Sequence, residues 1–307
     1  MTAGRSWIIA GGIILIALAL RSVYLDQVHL HPLIQVPVAE GRLYMESSAA
    51  MAAGGAASAV PAPFYAWLLA GLDAGPQSVR WLQAVLGAAS CALVWAAGRI
   101  LFPPAIALAA ALLSTAYGPL IFFTGELMPA TTAVFLSLTF LMAIAWSVRQ
   151  PGLWRMTVAG LLLGLTSACS PSALPLVPLF AAWIARQLPG RLPVAGFVAG
   201  ALAAMASFWG SWSLQRPEDL LGSFFRLWSG SERVPGLEPY FVHADSPLMA
   251  AIMWEWGIAF PFGIVAPLAL VGMGYRLLSQ RSPLENALLL FVVGSLVGAL
   301  VTAAGAA

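Results

Sequence analysis

Glu40 and Glu126 are the residues of this chain best placed to handle a proton. Glu40 sits in Val36-Pro-Val-Ala-Glu-Gly-Arg-Leu-Tyr44, the first polar interruption after an apolar N-terminal run. Glu126 sits in Phe122-Phe-Thr-Gly-Glu-Leu-Met-Pro129, a turn between two apolar runs. A carboxylate near membrane depth is expensive and marks a functional position by default, as a base in catalysis or as a proton-coupling group. Each has a plainer reading. Glu40 is equally a solvated charge in a polar loop. Glu126, with aromatics before it and apolar residues after it, is otherwise the salt-bridge partner of an arginine. Glu46 and Asp73 read as solvated charges. Glu46 follows Glu40 by six residues, which on a continuous helix turns the two apart.

The second chemistry is anion binding. Guanidinium groups grip phosphate in bidentate fashion. Arg42 lies beside Glu40, and Arg216, Arg226 and Arg233 lie on one long polar segment. Any one of them alone reads as a rim or headgroup contact; one of the four as a phosphate ligand is the sharper expectation. The ligand this predicts is a phosphorylated lipid. Tyr44 and Tyr65 complete the substrate-contacting set, and with Trp67 they also suit anchors at headgroup level. His29, His31 and His243 are scattered. His243 near Glu238 and Asp245 lacks the spacing of a metal site, so neither metal nor cofactor is predicted. Cys91 and Cys169 lie within apolar runs and read as small core hydrophobes.

The elements that must position these groups are membrane helices. The chain is 61% hydrophobic and 8% charged, against about 25% charged in soluble domains, which leaves too few charges to wet a surface. A net charge of +2 gives no reason to expect nucleic acid. Apolar segments near 7–23, 79–100, 104–123, 128–147, 156–170, 173–188, 194–213, 258–277 and 286–305 predict an all-α polytopic protein of about nine spans. The first could instead be a cleaved secretion signal, given Arg5 and Ala17-Leu-Ala19; an uncleaved span fits the charge pattern below. The pair 156–170 and 173–188 is short, and Pro171, Pro175 and Pro178 crowd its junction, so kinked or incomplete crossings are expected there. Residues 41–57 and 61–73 suit helices lying in the interface. The whole of 1–307 forms one module, with a first outer loop near 24–78 and a long outer loop near 215–250, a length typical of lids and binding loops.

Threading the spans alternately sorts the charges. One side collects Arg5, Arg99, Arg149, Arg155, Arg186, Arg191, Arg276 and Arg281 with Glu285 as its single acid. The other collects the remaining eleven acids and six arginines. The positive-inside rule makes the first side cytoplasmic and turns Glu40 and Glu126 outward together.

These residues resemble a family. Pro37-Val-Ala-Glu40-Gly-Arg-Leu-Tyr44, the small-residue helix ending in Gly54-Gly55, and Pro63-Phe-Tyr-Ala-Trp67 look like the first outer loop of the C-type (GT-C) glycosyltransferases. They are most like family 39, the protein-mannosyltransferase and aminoarabinose-transferase group. Arg80-Trp-Leu-Gln-Ala-Val-Leu-Gly87 and Gly98-Arg-Ile-Leu-Phe102 continue the match. Tyr117 to Pro129 is similar to the second acidic motif of bacterial members, and Trp228-Ser-Gly-Ser-Glu232 and Ala266-Pro-Leu-Ala-Leu270 extend the likeness. The resemblance implies a bacterial inner-membrane enzyme with its site facing the periplasm. It would move a sugar, with inversion, from a polyprenyl-phosphate carrier to a protein, lipid or polysaccharide acceptor. The catalytic acid falls on Glu40, where relatives mostly carry Asp, and the second acid on Glu126. Where many relatives have Arg-Pro after the fifth span, Ser170-Pro171-Ser172 stands here. Relatives also run on beyond the point matching Ala307, so their C-terminal part is expected to be missing. The rival readings are a proton-coupled transporter or lipid flippase using the same acids, and a non-catalytic lipid-binding or assembly subunit.

Overall fold

The computed structural model describes residues 3–28, 39–54, 60, 62–72, 75–188, 190–213, 286–287 and 289–294, with backbone alone at 39, 40, 101 and 209–213. Among the described residues there is no strand. The described helices are, in order, α1 Ala3–Val28, α2 Ala39–Ala52, α3 Pro63–Leu72, α4 Pro76–Leu101, α5 Pro104–Thr115, α6 Gly118–Gly125, α7 Ala130–Arg149, α8 Leu153–Cys169, α9 Leu176–Gln187 and α10 Leu192–Ser213, and residues 286–287 and 289–294 are also helical. A 3₁₀ turn, Pro171–Ala173, joins α8 to α9. Proline opens α3, α4 and α5 at the first helical position, where its missing N–H costs nothing. Arg99, Arg149 and Arg186 close α4, α7 and α9 in the last turn, where a cation meets the negative end of the helix dipole.

Among the described residues, three helices are long and apolar enough to cross a membrane: Gly4–Val28, Pro76–Ile100 and Ala130–Arg149. The pair α5–α6 makes a fourth if counted as one broken span, bent by 43°. Pro63–Leu72, Leu153–Cys169 and Leu192–Phe208 are apolar but shorter. The continuous span expected over 104–123 is therefore two helices. Pro119 has no N–H to give to the carbonyl four residues back, and its ring crowds that carbonyl, so α5 stops at Thr115. The expected segment 258–277 lies outside the described residues, as does most of 286–305.

Three apolar clusters hold the helices. Ile13, Ala17, Ala88, Cys91, Trp95, Ala107 and Ala111 join α1, α4 and α5. Tyr44, Tyr65, Leu69, Val79, Leu127, Leu136 and Cys169 join α2 and α3 to the inner helices. Phe140, Met156, Leu163, Phe180 and Phe197 join α7 to α10, with Phe291 packed against them. Cys91 and Cys169 are both buried free thiols within these clusters. Lipid is as apolar as leucine, so helices in a membrane associate through close packing rather than apolar burial. The α8–α10 contact has that character. A Cβ at Gly160 would lie 1.9 Å from the Phe197 carbonyl oxygen, and one at Gly200 would lie 2.1 Å from that of Thr157. The backbones touch because neither residue has a side chain.

A charge is also buried between α1 and α4. Arg21 of α1 is wholly enclosed against α4. Its Nη1 donates to the Ala17 carbonyl at 3.1 Å, and its Nη2 lies 3.9 Å from the Cys91 sulfur. Gly87 provides the space, since a Cβ there would come within 2.6 Å of the guanidinium Nε.

The α8–α10 contact yields a stability test. Gly160→Leu and Gly200→Leu should each lower the thermal midpoint in detergent by an amount matching about 1–3 kcal/mol or more of overpacking. Gly12→Ala, with open space around its Cβ, should leave the midpoint unchanged or slightly higher. Unchanged midpoints for both leucine variants would contradict the contact.

Candidate functional site

The short helix α6 organises the end of the bundle that carries Glu126. An α-helix leaves its last four carbonyls without partners inside the helix. In α6 these belong to Phe122, Phe123, Thr124 and Gly125, and every one receives a side-chain donor from another part of the fold. Tyr24 Oη of α1 donates to Phe122 O at 3.4 Å. Thr131 Oγ1 of α7 donates to Phe123 O at 3.1 Å. Gln83 Nε2 of α4 donates to Thr124 O at 3.4 Å and also to Glu126 O. Arg80 Nε, one turn earlier on α4, donates to Gly125 O at 2.9 Å. The turn that presents Glu126 is thus fixed from three helices.

The outer layer ties into the same point. Tyr65 Oη of α3 donates to Gln83 Oε1 at 3.3 Å, and Tyr44 of α2 meets the Tyr65 ring edge-on at 5.3 Å. Burial pushes the Tyr65 phenol well above its usual range, so it remains a neutral donor to the glutamine. Gly41 of α2 packs on Leu127: a Cβ at Gly41 would stand 3.3 Å from Leu127 Cβ and 3.4 Å from its carbonyl oxygen. Gly125 is held as closely on the other side, by the Tyr24 ring. The helix start bearing Glu40 and the turn bearing Glu126 are therefore neighbours. The backbone of Glu40 occupies the first turn of α2, while its side chain lies outside the described part.

Electrostatically this is the polar focus of an apolar bundle. The carbonyl end of α6 carries partial negative charge, and Arg80, only 7% exposed, lies against it. Its guanidinium is within electrostatic range of Glu126, Tyr24 and Tyr65. The Glu126 residue is half-buried, retaining a route to solvent. Cys169 Sγ, at the end of α8, reaches the Pro129 carbonyl at 3.6 Å, and Ser170 and Ser172 hydroxyls pair at 2.9 Å beside it. A separate, mainly apolar cavity of about 370 Å³ lies between α4, α5, α6 and α7. Ser90, Ser114, Ser137 and Ser170 contribute its hydroxyls; Glu126 does not line it.

The other expected residues are distributed differently. Arg42 stands exposed on α2, its Nε 2.6 Å from Glu46 Oε1 in an i,i+4 ion pair. Tyr44 and Tyr65 are buried side chains of the apolar cluster, so they do not act as headgroup anchors. Their rings, and the Tyr65 hydroxyl, are taken up by the α2–α3–α4 junction. Trp67 alone of the three faces outward, 51% exposed. Arg216, Arg226 and Arg233 lie outside the described residues, as do His29, His31, His243 and Asp73. Among the described residues no group of three metal-ligating side chains converges.

Arg80 and Gln83 did not stand out in the sequence. Each is a single polar residue inside an apolar run, three apart, a spacing that puts both on one helix face. That pairing is the signal that was available. No protein-family profile, no curated protein and no solved structure matches this chain.

The α6 junction predicts unequal effects of mutation. Arg80→Leu and Gln83→Leu leave buried carbonyls without donors, and each should cost about 1–3 kcal/mol per carbonyl, read as a lowered thermal midpoint in detergent. Arg42→Gln, which breaks an exposed pair, should cost no more than about 0.5 kcal/mol. Equal effects of the three would remove the junction from its structural role.

Proposed function

We propose that this chain is a membrane glycosyltransferase of the GT-C type. It has about nine spans in all, and its acidic end faces the periplasm from the inner membrane. It moves a sugar from a polyprenyl-phosphate carrier to an acceptor hydroxyl. The observation that carries this reading is the Gly41–Leu127 contact, which brings the Glu40 and Glu126 segments together at one end of an otherwise apolar bundle. Two acid-bearing segments from distant stretches of chain packed together there support a shared site over two independent solvated charges.

The chemistry follows from the groups available. Glu40 accepts the proton of the acceptor hydroxyl as that oxygen attacks the anomeric carbon. The bond from that carbon to the phosphate oxygen breaks, and the electron pair leaves with the lipid phosphate. Attack on the face opposite the leaving group inverts the centre. Glu126 supports the base across the site, with its backbone fixed by Arg80 and Gln83. Phosphate neutralisation falls to an arginine of the set Arg42, Arg216, Arg226 and Arg233, which stabilises the departing charge. Tyr44 and Tyr65 serve by shaping the wall behind the site rather than by touching the sugar.

A second reading has one observation in its favour. The α5–α6 pair is a broken span, and discontinuous helices line substrate and ion sites in transporters. In that case the same acids carry protons during transport or lipid flipping.

The deciding measurement is transfer of radiolabelled sugar from a polyprenyl-phosphate donor by the protein in liposomes. Glu40→Gln should reduce the rate by roughly 10²–10⁴ with donor binding retained, and Glu126→Gln should reduce it less. Wild-type transfer that Glu40→Gln leaves intact would take Glu40 out of the mechanism. Donor binding without transfer by the wild type would favour a non-catalytic lipid-binding subunit, and proton flux without transfer the transporter.

A further inference from the structure

The end of the bundle opposite Glu126 is a surface of arginines. Arg5, Arg99, Arg149, Arg155, Arg186 and Arg191 all lie at the helix ends there, and Asp26, Glu40, Glu46 and Glu126, the acids of the described residues, lie at the other. Among the described residues, then, no carboxylate offsets this charge.

One position at this end is built more firmly than the rest. At the turn between α7 and α8, Arg155 packs against two indoles, its Cζ 4.7 Å from the Trp146 ring centre and 5.2 Å from that of Trp154. The rings themselves pack edge-to-face at 5.0 Å. Nη1 of Arg155 donates to the Gln150 carbonyl at 2.7 Å, which fixes the plane of the fork. A guanidinium so restrained has already lost much of the side-chain freedom that binding would otherwise remove. Arg149, exposed at the end of α7, stands across the same turn. Gly152 gives α8 no side-chain cap, so first-turn N–H groups also point here.

The surroundings identify the source of the anion. Trp146 and Trp154 are 41% and 57% exposed, the amphipathic rings found at headgroup level. From Trp154, an exposed apolar stripe runs along α8 through Val158 and Leu161, at the spacing of one helix face. A phosphate on the arginines would place its acyl chains along that stripe. A free phosphate has no use for it.

We propose that the α7–α8 turn binds an anionic glycerophospholipid, with Arg155 as the main phosphate ligand, Arg149 as the second, and the Trp154–Val158–Leu161 face under the acyl chains. The headgroup is one without an ammonium, because two arginines, with no carboxylate beside them among the described residues, would repel it. Such lipids supply the negative surface potential of a cytoplasmic leaflet, the side that the arginine excess selects. This assignment stands whether or not the opposite end transfers sugar.

The test is lipid titration of the delipidated full chain, followed by native mass spectrometry, with phosphatidylglycerol and phosphatidylcholine as the two probes. Wild type should bind phosphatidylglycerol the more tightly, and Arg155→Gln should weaken that binding about fivefold, the factor one basic side chain near an anionic surface contributes. Arg149→Gln should weaken it by less. Arg155→Lys, which keeps the charge but loses the stacked fork, should fall between wild type and Arg155→Gln. If Arg155→Gln does not fold, Arg149→Gln and Arg155→Lys carry the test. Equal affinity of wild type for the two lipids would overturn the proposal. So would unchanged phosphatidylglycerol binding in Arg155→Lys and Arg149→Gln, or full competition by inorganic phosphate, which would make this a free-anion site.

Discussion

Four carbonyl oxygens at the end of an eight-residue helix are the constraint around which the acidic end is built. A helix end packed within the fold cannot leave those carbonyls bare, because each buried carbonyl without a donor costs free energy. The longer helices α4, α7 and α9 close on an arginine of their own. Helix α6 ends inside the bundle, so the donors have to come from α1, α4 and α7. Those donors fix the spacing of three helices at once; Tyr65 then anchors α3 to the same glutamine, and Tyr44 packs α2 against the Tyr65 ring. A single polar junction thereby substitutes for the apolar driving force that lipid takes away.

The two ends of the bundle use charge in contrasting ways. At one, a few charges are drawn inward: Arg80 is buried and Glu126 half-buried, each with backbone dipoles close by. At the other, arginines fan outward and lean on indoles, as Arg155 does on Trp146 and Trp154. The inward arrangement favours defined geometry over solubility and suits a site. The outward one suits contact with headgroups, where many weak attractions add up.

Much of this was legible beforehand. Hydropathy located α1, α4 and α7, and the arginine count alone separated the two ends, because charges at span termini have nowhere else to go. The α5–α6 break was carried by Pro119, yet a hydropathy window averages across one proline and reads a continuous span. Tyr44 and Tyr65 misled for a related reason. Aromatics near span ends usually sit at headgroups, but these two lie on helices folded over the bundle, and their rings fill the space above Leu127 and Cys169. Arg80 and Gln83 were hidden most deeply. Their purpose is set by carbonyls some forty positions further along, and no local pattern records that.

Arg21 carries a consequence for how the molecule is made. Its enclosure depends on the cleft over Gly87 and on Cys91, both on a helix synthesised well after α1. A lone α1 entering the bilayer would expose that guanidinium to hydrocarbon, at about 2.5–3.5 kcal/mol near the midplane. The apolar run that precedes Arg21 in α1 offsets this enough for the segment to insert, but leaves it unsettled until α4 emerges. The first two long helices are thus obliged to find each other during biosynthesis, and the groove between them is assembled early, before the acidic end has been translated in full.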